Sequence, residues 1–235
     1  MQTAETVFCG LPAVLYGAPS DRCFLFVHGR FGSRLDAAPF AGSADRCGWQ
    51  TLAVDLPGHG LRPPTELVPW EAVPELQSAA RELARLWPTI GLAGVSIGAW
   101  LGLTALDGQN APEPARRVLI SPVADMETLI LGMMAASGVS EERLKREGEI
   151  PTAFGETLSW RYLTWVREHR ITPRPVPTDL IAGGQDEMMG REAFFALTEK
   201  LGASLTLLEN SRHWIHTPDE LDILKRVVRF RLGRD

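Results

Sequence analysis

The chain has 235 residues, and its 24 lysines and arginines against 29 aspartates and glutamates give a formal net charge of −5 at pH 7. This mildly acidic balance, without runs of basic residues, argues against nucleic-acid binding. Hydrophobic residues make up 45% of the chain and charged residues 23%, which excludes a disordered chain, and the length predicts a single domain over residues 1–235.

The sequence also gives expectations about the cell compartment. The longest apolar stretch, 128–139, is shorter than the ~18–20 residues that span a bilayer, and the first residues lack the basic start and apolar core of a signal peptide. We therefore expect a cytoplasmic protein that does not bind membranes. The three cysteines, Cys9, Cys23 and Cys47, have no spacing typical of disulfide frameworks or zinc sites.

In chain order, the elements begin with a predicted hairpin over 6–8 and 13–16. Residues with helical spacing lie between the strand-like apolar runs that follow this hairpin, most clearly over 75–87. This alternation predicts a mainly parallel twisted sheet with helices on both faces. Its strands are short apolar runs of the kind buried on both faces, at 23–27, 51–54, 90–95, 118–120, 180–182 and 205–208.

The alternation is interrupted between residues 125 and 177. Two helices, over 126–137 and 156–169, are predicted there without an intervening strand. Three prolines within 171–177 predict an extended connector back to the sheet. We interpret 125–177, here named the cap segment, as a helical cap inserted after the sixth strand.

The strongest functional signal is Gly94-Val95-Ser96-Ile97-Gly98, between a predicted strand and a helix over 99–106. A G-x-S-x-G turn in this position exposes the serine hydroxyl, and its glycines permit close backbone approach. The N–H of Ile97, at a helix N-terminus, favours a developing negative charge. The alternative is a glycine-rich turn with an exposed serine that has no chemical role.

A serine hydroxyl needs a base to take its proton and a group to orient that base. His213 and Asp186 both follow predicted strands, so all three side chains fall at the carboxyl edge of the sheet. Two alternatives remain open: His216 as the base and Asp125, after the sixth strand, as the acid.

With its motifs taken in order, the chain resembles the α/β-hydrolase superfamily, specifically serine hydrolases with a Ser-Asp-His triad. The matching residues are His28-Gly29 after the third strand, the loop 55–60 after the fourth, the turn at Ser96, and the late Asp and His. The resemblance implies that the N–H groups of Arg30 and Ile97 form the oxyanion hole. The Arg30 guanidinium is either solvated or available to a substrate carboxylate.

The other titratable residues at these motifs have structural interpretations. His28 and His59 are expected to hold turns by hydrogen bonding, His169 to be exposed, and Asp55 to be structural.

A serine at the turn argues against the dehalogenases and epoxide hydrolases of the superfamily, which use an aspartate there. We expect a carboxylesterase-like or thioesterase-like enzyme acting on a small to medium, partly apolar acyl compound through an acyl-enzyme on Ser96. The candidate substrate-binding residues in the cap segment are Met133, Met134 and Trp160.

Three alternatives use the same scaffold. An aminopeptidase would offer cap carboxylates to a substrate amine, a C–C bond hydrolase would use the same serine, and a ligand receptor would not turn over. The carboxylates concerned are Glu127, Glu141, Glu142 and Glu156. No cofactor or metal is implied, the expected partner is a small-molecule substrate, and the oligomeric state is left open.

Overall fold

An eight-stranded sheet organises the chain in a computed structural model that describes residues 1–108, 111–172 and 174–233. Its strand order is β1-β2-β4-β3-β5-β6-β9-β10. The β1–β2 and β2–β4 pairs are antiparallel, and every pair from β4 to β10 is parallel. The sheet strands are β1 Thr3–Phe8, β2 Leu11–Tyr16, β3 Arg22–Val27, β4 Gln50–Val54, β5 Thr89–Val95, β6 Arg116–Ile120, β9 Thr178–Gly183 and β10 Ser204–Leu208. The predicted mainly parallel sheet and its leading hairpin are confirmed.

Helices cover both faces of this sheet, because side chains alternate along each strand. In β3, Cys23, Leu25 and Val27 join the core beneath α2, α3 and α7, whereas Phe24 and Phe26 join the core beneath α1 and α8. The helix bounds are α1 Ala38–Asp45, α2 Pro69–Leu86, α3 Ile97–Leu106, α7 Arg191–Leu201 and α8 Pro218–Leu232, and a short 3-10 helix, Arg34–Ala37, precedes α1.

The cap segment differs from its prediction in two respects, since it contains a third helix and a pair of short strands. It contains α4 Met126–Ala136, α5 Glu141–Glu147, β7 Glu149–Pro151, β8 Thr157–Ser159 and α6 Trp160–Glu168. The prediction of no intervening strand is wrong, because β7 and β8 pair as an antiparallel hairpin. The second predicted helix therefore begins at Trp160 rather than at Glu156, with Ser159 as its N-cap.

The connector that follows α6 includes Pro173, which lies outside the described residues. Across the described ranges, no helix combines the length and apolarity needed to cross a membrane.

Candidate active site

Ser96 occupies the turn between β5 and α3, and its backbone is strained. Its φ of 53° and ψ of −123° lie in a region that serine rarely adopts. Hydrogen bonds hold this turn, since the Ser96 N–H donates to the Ile120 carbonyl at 3.0 Å and the Ser96 carbonyl accepts from the Val123 N–H at 3.1 Å. The serine is thereby fixed at the carboxyl end of β5, the edge where α/β sheets bind ligands.

Close packing explains both glycines of the turn. A Cβ on Gly94 would lie 2.6 Å from the Cα of Ala99, and one on Gly98 would lie 2.1 Å from the carbonyl oxygen of His28. Contacts this short would displace α3 or the loop after β3. The two glycines therefore let the helix and that loop approach Ser96.

His213 brings Ser96 and Asp186 into one hydrogen-bonded chain. Its Nε2 lies 2.8 Å from the Ser96 Oγ, and its Nδ1 lies 2.6 Å from the Asp186 Oδ2. A carboxylate can only accept, so Nδ1 carries the proton and Nε2 accepts from the serine hydroxyl. The structure thus brings together the three residues that the sequence singled out as nucleophile, base and acid.

The Asp186 carboxylate is buried and anchored by the main chain, with a side chain only 1% exposed. Its Oδ1 accepts the N–H groups of Met188 and Met189 at 2.9 and 3.0 Å. Burial acts to raise the pKa of Asp186, but the hydrogen bonds from His213 and these two amides outweigh it and hold the pKa below its usual range. Sequence reasoning missed both amides, because an N–H donor leaves no mark on residue type.

The loop that carries His213 is fastened to the turn that carries Asp186. The Gln185 N–H donates to the Ser211 carbonyl at 2.9 Å. A Cβ on Gly183 would lie 2.3 Å from the Arg212 carbonyl oxygen, so only glycine permits this packing. The loop of the base therefore packs directly against the turn of the acid.

The loop after β3 packs on the serine turn. A Cβ built on Gly29 would lie 3.5 Å from the Ser96 Cβ, which places the neighbouring Arg30 peptide beside the nucleophile. Ile97 is the first residue of α3, where an N–H has no acceptor within the helix. Both proposed oxyanion donors therefore belong to segments that meet at Ser96.

Neither alternative triad residue joins this chain of hydrogen bonds. His216 is exposed, and its ring stacks on Trp214 at 3.9 Å between centroids. Asp125 is the N-cap of α4, where its carboxylate accepts from the Thr128 N–H at 2.9 Å. The described geometry gives His216 and Asp125 local structural contacts instead.

The two motif histidines hold loops, as predicted. The His28 Nε2 accepts the Leu56 N–H at 3.0 Å while its Nδ1 donates to the Gly29 carbonyl at 2.7 Å. Burial lowers the pKa of His28, which keeps this ring neutral and able to accept. The His59 Nε2 likewise accepts the Phe31 N–H at 3.2 Å.

The two remaining structural interpretations also agree with the coordinates. Asp55 is fully buried, and its carboxylate accepts from the Arg34 backbone N–H at 2.8 Å and from the Arg34 guanidinium at 2.9 Å. His169 is exposed and stacks on Trp165.

The three substrate-binding candidates from the sequence stay predictions. Met134 is 3% exposed and belongs to the main core, against which Met133 is packed. The Trp160 ring lies beneath the Lys145 ammonium, 5.8 Å from the ring centroid.

Other aromatic residues join the cap segment to α2 and α3. Trp100, one helical turn after Ser96, stacks on Tyr162 of α6 at 6.4 Å, and Trp70 of α2 contacts the same tyrosine at 6.1 Å. Burial raises the pKa of Tyr162, and the charges of Arg30 and Glu156 act on it in opposite directions. The aromatic content of the cap segment was visible in the sequence, but its contact with α2 and α3 depends on tertiary packing.

The candidate amine-binding carboxylates of the cap segment are mostly paired with arginines. Arg167 contacts both Glu127 and Glu141 at 2.7 Å. Glu156 lies 2.7 Å from the Arg30 guanidinium. Glu142 is exposed in the first turn of α5.

Solved structures of similar fold cover nearly the whole chain at low sequence identity. The esterase Est1E from Butyrivibrio proteoclasticus, in a structure with ferulic acid bound, has a TM-score of 0.74 and 17% identity over 94% of both chains. An esterase from Pyrococcus furiosus has a TM-score of 0.71 and 18% identity, with 99% of this chain and 90% of that chain covered. A monoacylglycerol lipase from Paleococcus ferrophilus has a TM-score of 0.70 and 18% identity, with 96% and 99% covered.

No curated protein matches the sequence significantly. A family model described as the alpha/beta hydrolase family, however, matches residues 24–223, a span that includes Ser96, Asp186 and His213. The chain belongs to the alpha/beta hydrolase family.

Proposed function

We propose that the protein is a serine hydrolase that cleaves an ester or thioester of a small to medium, partly apolar acyl compound through an acyl-enzyme on Ser96. One observation carries the proposal: the Ser96 hydroxyl, His213 and Asp186 are joined by contacts of 2.8 and 2.6 Å. Membership of a hydrolase family and a fold shared with two esterases and a lipase support it.

In the acylation step, the Ser96 oxygen attacks the substrate carbonyl while its proton passes to the His213 Nε2. The ionised Asp186 stabilises the imidazolium through Nδ1. The carbonyl oxygen becomes an oxyanion that accepts hydrogen bonds from the Arg30 and Ile97 N–H groups. The C–O or C–S bond then breaks, and His213 returns the proton to the leaving alcohol or thiol.

In the deacylation step, water replaces the leaving group. His213 removes a proton from that water as its oxygen attacks the acyl carbon, and the same two amides hold the second oxyanion. Collapse releases the carboxylic acid and returns the proton to the Ser96 oxygen.

Aromatic packing between α3, α6 and α2 supports an apolar acyl group. The Trp100 N–H donates to the Ser96 carbonyl, the Trp100 ring stacks on Tyr162, and Tyr162 contacts Trp70. Est1E, of the same fold, has a structure with the aromatic ferulic acid bound. An aminopeptidase is less favoured, because three of its four candidate carboxylates are already paired with arginines.

The test is the intact mass of the protein after exposure to a fluorophosphonate probe, beside the kcat for p-nitrophenyl acetate, butyrate and octanoate. We expect one adduct on the wild type, no adduct on Ser96→Ala, and a loss of roughly three to six decades of kcat in that variant.

The matched control is Ser121→Ala. Ser121 follows the neighbouring strand β6, also has a positive φ of 40°, and is 1% exposed with a hydroxyl that finds no partner among the described residues. This control should keep both the adduct and the turnover. Turnover that survives in Ser96→Ala would overturn the proposal.

A further inference from the structure

An ion pair joins the cap segment to the loop that carries Arg30. The Arg30 Nη2 lies 2.7 Å from the Glu156 Oε2, and the two side chains are 43% and 29% exposed. Arg30 follows the Gly29 that packs on Ser96, and Glu156 immediately precedes β8. The pair therefore connects the β7–β8 turn with the segment beside the nucleophile.

The Glu156 end of the contact is held firmly. The Glu156 carbonyl accepts from the Thr152 N–H at 2.8 Å and from the Thr152 hydroxyl at 2.7 Å, and the Glu156 N–H donates to that hydroxyl at 3.2 Å. Three hydrogen bonds thus close the turn on one threonine. The carboxylate extends from a defined backbone position rather than from a loose loop.

The Arg30 end lies in a tight turn, which the Gly32 N–H closes by donating to the Gly29 carbonyl at 3.2 Å. Gly29 on one side packs against Ser96, and on the other side the Phe31 N–H donates to His59. Phe31 has a strained φ of 62° and is 87% exposed, and its ring contacts the Arg30 guanidinium at 5.3 Å from the ring centroid. The ion pair with Glu156 holds the Arg30 side chain, while Gly29 and Phe31 on either side of it contact Ser96 and His59.

We propose that Glu156 is a positioning residue that, through its ion pair with the Arg30 guanidinium, holds the Arg30 backbone N–H in place for the oxyanion. This inference rests on the proposed serine-hydrolase function. It assigns the β7–β8 turn a part in acylation without direct contact with the acyl group. Because oxyanion donors act only at a defined distance, a small displacement of one N–H lowers the rate strongly.

The first test compares Glu156→Ala with the wild type on p-nitrophenyl butyrate and two inhibitors. Misplacing one donor should lower kcat/KM by about 5- to 50-fold, less than removing the donor outright. The affinity for a butyl trifluoromethyl ketone, which forms an oxyanion on Ser96, should weaken by a similar factor. The affinity for an ether analogue that cannot form an oxyanion should stay within about twofold. Glu156→Gln, with the same length and a neutral acceptor, should fall between wild type and Glu156→Ala.

The matched control is Glu141→Ala. Glu141 also contacts an arginine at 2.7 Å, its side chain is 39% exposed, and its partner is Arg167 within the cap segment. This variant should keep the kcat/KM and both inhibitor affinities. A loss equal to that of Glu156→Ala would mean that any weakened cap segment lowers activity, and would overturn the assignment.

The dependence of kcat/KM on salt gives a second readout. A partly exposed ion pair is screened as ionic strength rises. The wild-type kcat/KM should therefore fall between 0.05 and 1 M potassium chloride, toward the value of Glu156→Ala, while the variant stays constant. Wild-type levels of kcat/KM and ketone affinity in Glu156→Ala would overturn the inference alone, whereas a wild type without adduct or turnover would overturn the proposed function too.

Discussion

Asp186 decides which nitrogen of His213 carries the proton. Its Oδ2 accepts from the His213 Nδ1 at 2.6 Å, which leaves the Nε2 lone pair for the Ser96 hydroxyl. Its Oδ1 is occupied by the amides of Met188 and Met189. The depressed pKa of Asp186 keeps the carboxylate ionised, and therefore an acceptor, at neutral pH.

Asp186→Asn should lower kcat by about three to four decades, because an amide can donate to Nδ1 and stabilise the wrong tautomer. The measurement is kcat for p-nitrophenyl butyrate at pH 7.5, with circular dichroism to verify the fold. Asp125→Asn is the matched control. Asn is as good an N-cap for α4 as Asp, so activity and melting temperature should both be retained. If Asp125→Asn were the inactive variant, the acid would have been assigned to the wrong strand end.

Individual residues of the site were predictable where the chemistry follows the local sequence. Ser96 lies between glycines whose absent side chains are visible in the pattern, and Asp186 and His213 lie in the loops that follow β9 and β10. The contact of Glu156 with Arg30 was not predictable, because the two lie 126 positions apart in sequence and meet only when the β7–β8 turn packs near the sheet. Tyr162 was missed as a neighbour of Trp100 for the same reason.

Among the elements, continuous apolar runs predicted most of the sheet, and helical spacing predicted α2 and α3. The cap segment was harder, since β7 and β8 have only three residues each and α5 only seven. Elements this short carry fewer than two full periods of a hydrophobic pattern. Their positions depend on packing against α4 and α6, which the local sequence does not encode.

The start of α8 has a capping box that links its stability to pH. The Glu220 carboxylate accepts from the Thr217 N–H at 3.0 Å and from the His216 N–H at 3.2 Å, while the Thr217 hydroxyl accepts from the Glu220 N–H. Burial acts to raise the pKa of Glu220, but these hydrogen bonds outweigh it and lower the pKa from 4.5 to about 2.

A depressed carboxylate pKa stabilises the fold at pH values above the unfolded pKa, and this contribution is lost as pH falls through the folded pKa. Glu220→Gln should therefore lower the free energy of unfolding by up to about 3 kcal/mol at pH 7. The difference from wild type should shrink between pH 4.5 and pH 2. Urea titrations across this range measure it. Glu192→Gln, in the first turn of α7 without a capping box, is the control and should show no such pH dependence.

At the scale of the whole molecule, the carboxyl end of β6 contacts the candidate active site, whereas its amino end carries a buried ion pair. Ser96 bonds to Ile120 at the carboxyl end of β6, whereas Arg117 near its amino end pairs with Asp107, the C-cap of α3. The Arg117 and Asp107 side chains are 0% and 3% exposed. Burial raises the pKa of Asp107 and lowers the pKa of Arg117, so the desolvation of this pair outweighs its attraction.

Stability and activity should therefore separate along β6. Asp107→Leu alone leaves the Arg117 charge buried without its carboxylate and should cost about 3–5 kcal/mol of unfolding free energy. The double variant Asp107→Leu/Arg117→Met removes both charges and should be more stable than Asp107→Leu, with a coupling of at least ~2 kcal/mol in a double-mutant cycle.

Urea titrations of the wild type, Asp107→Leu, Arg117→Met and the double variant give this coupling. The kcat measured on the folded fraction should stay near wild type, since the pair lies about 10 Å along β6 from the Ser96 contact. Glu82→Ala, which breaks an exposed pair with Arg85 on α2, should leave the urea midpoint unchanged. A coupling of zero would mean that the pair is solvated in solution. A lower kcat in these variants, measured where each is fully folded, would instead mean that the amino end of β6 controls the position of Ser96. Stability and activity would then not separate along the strand.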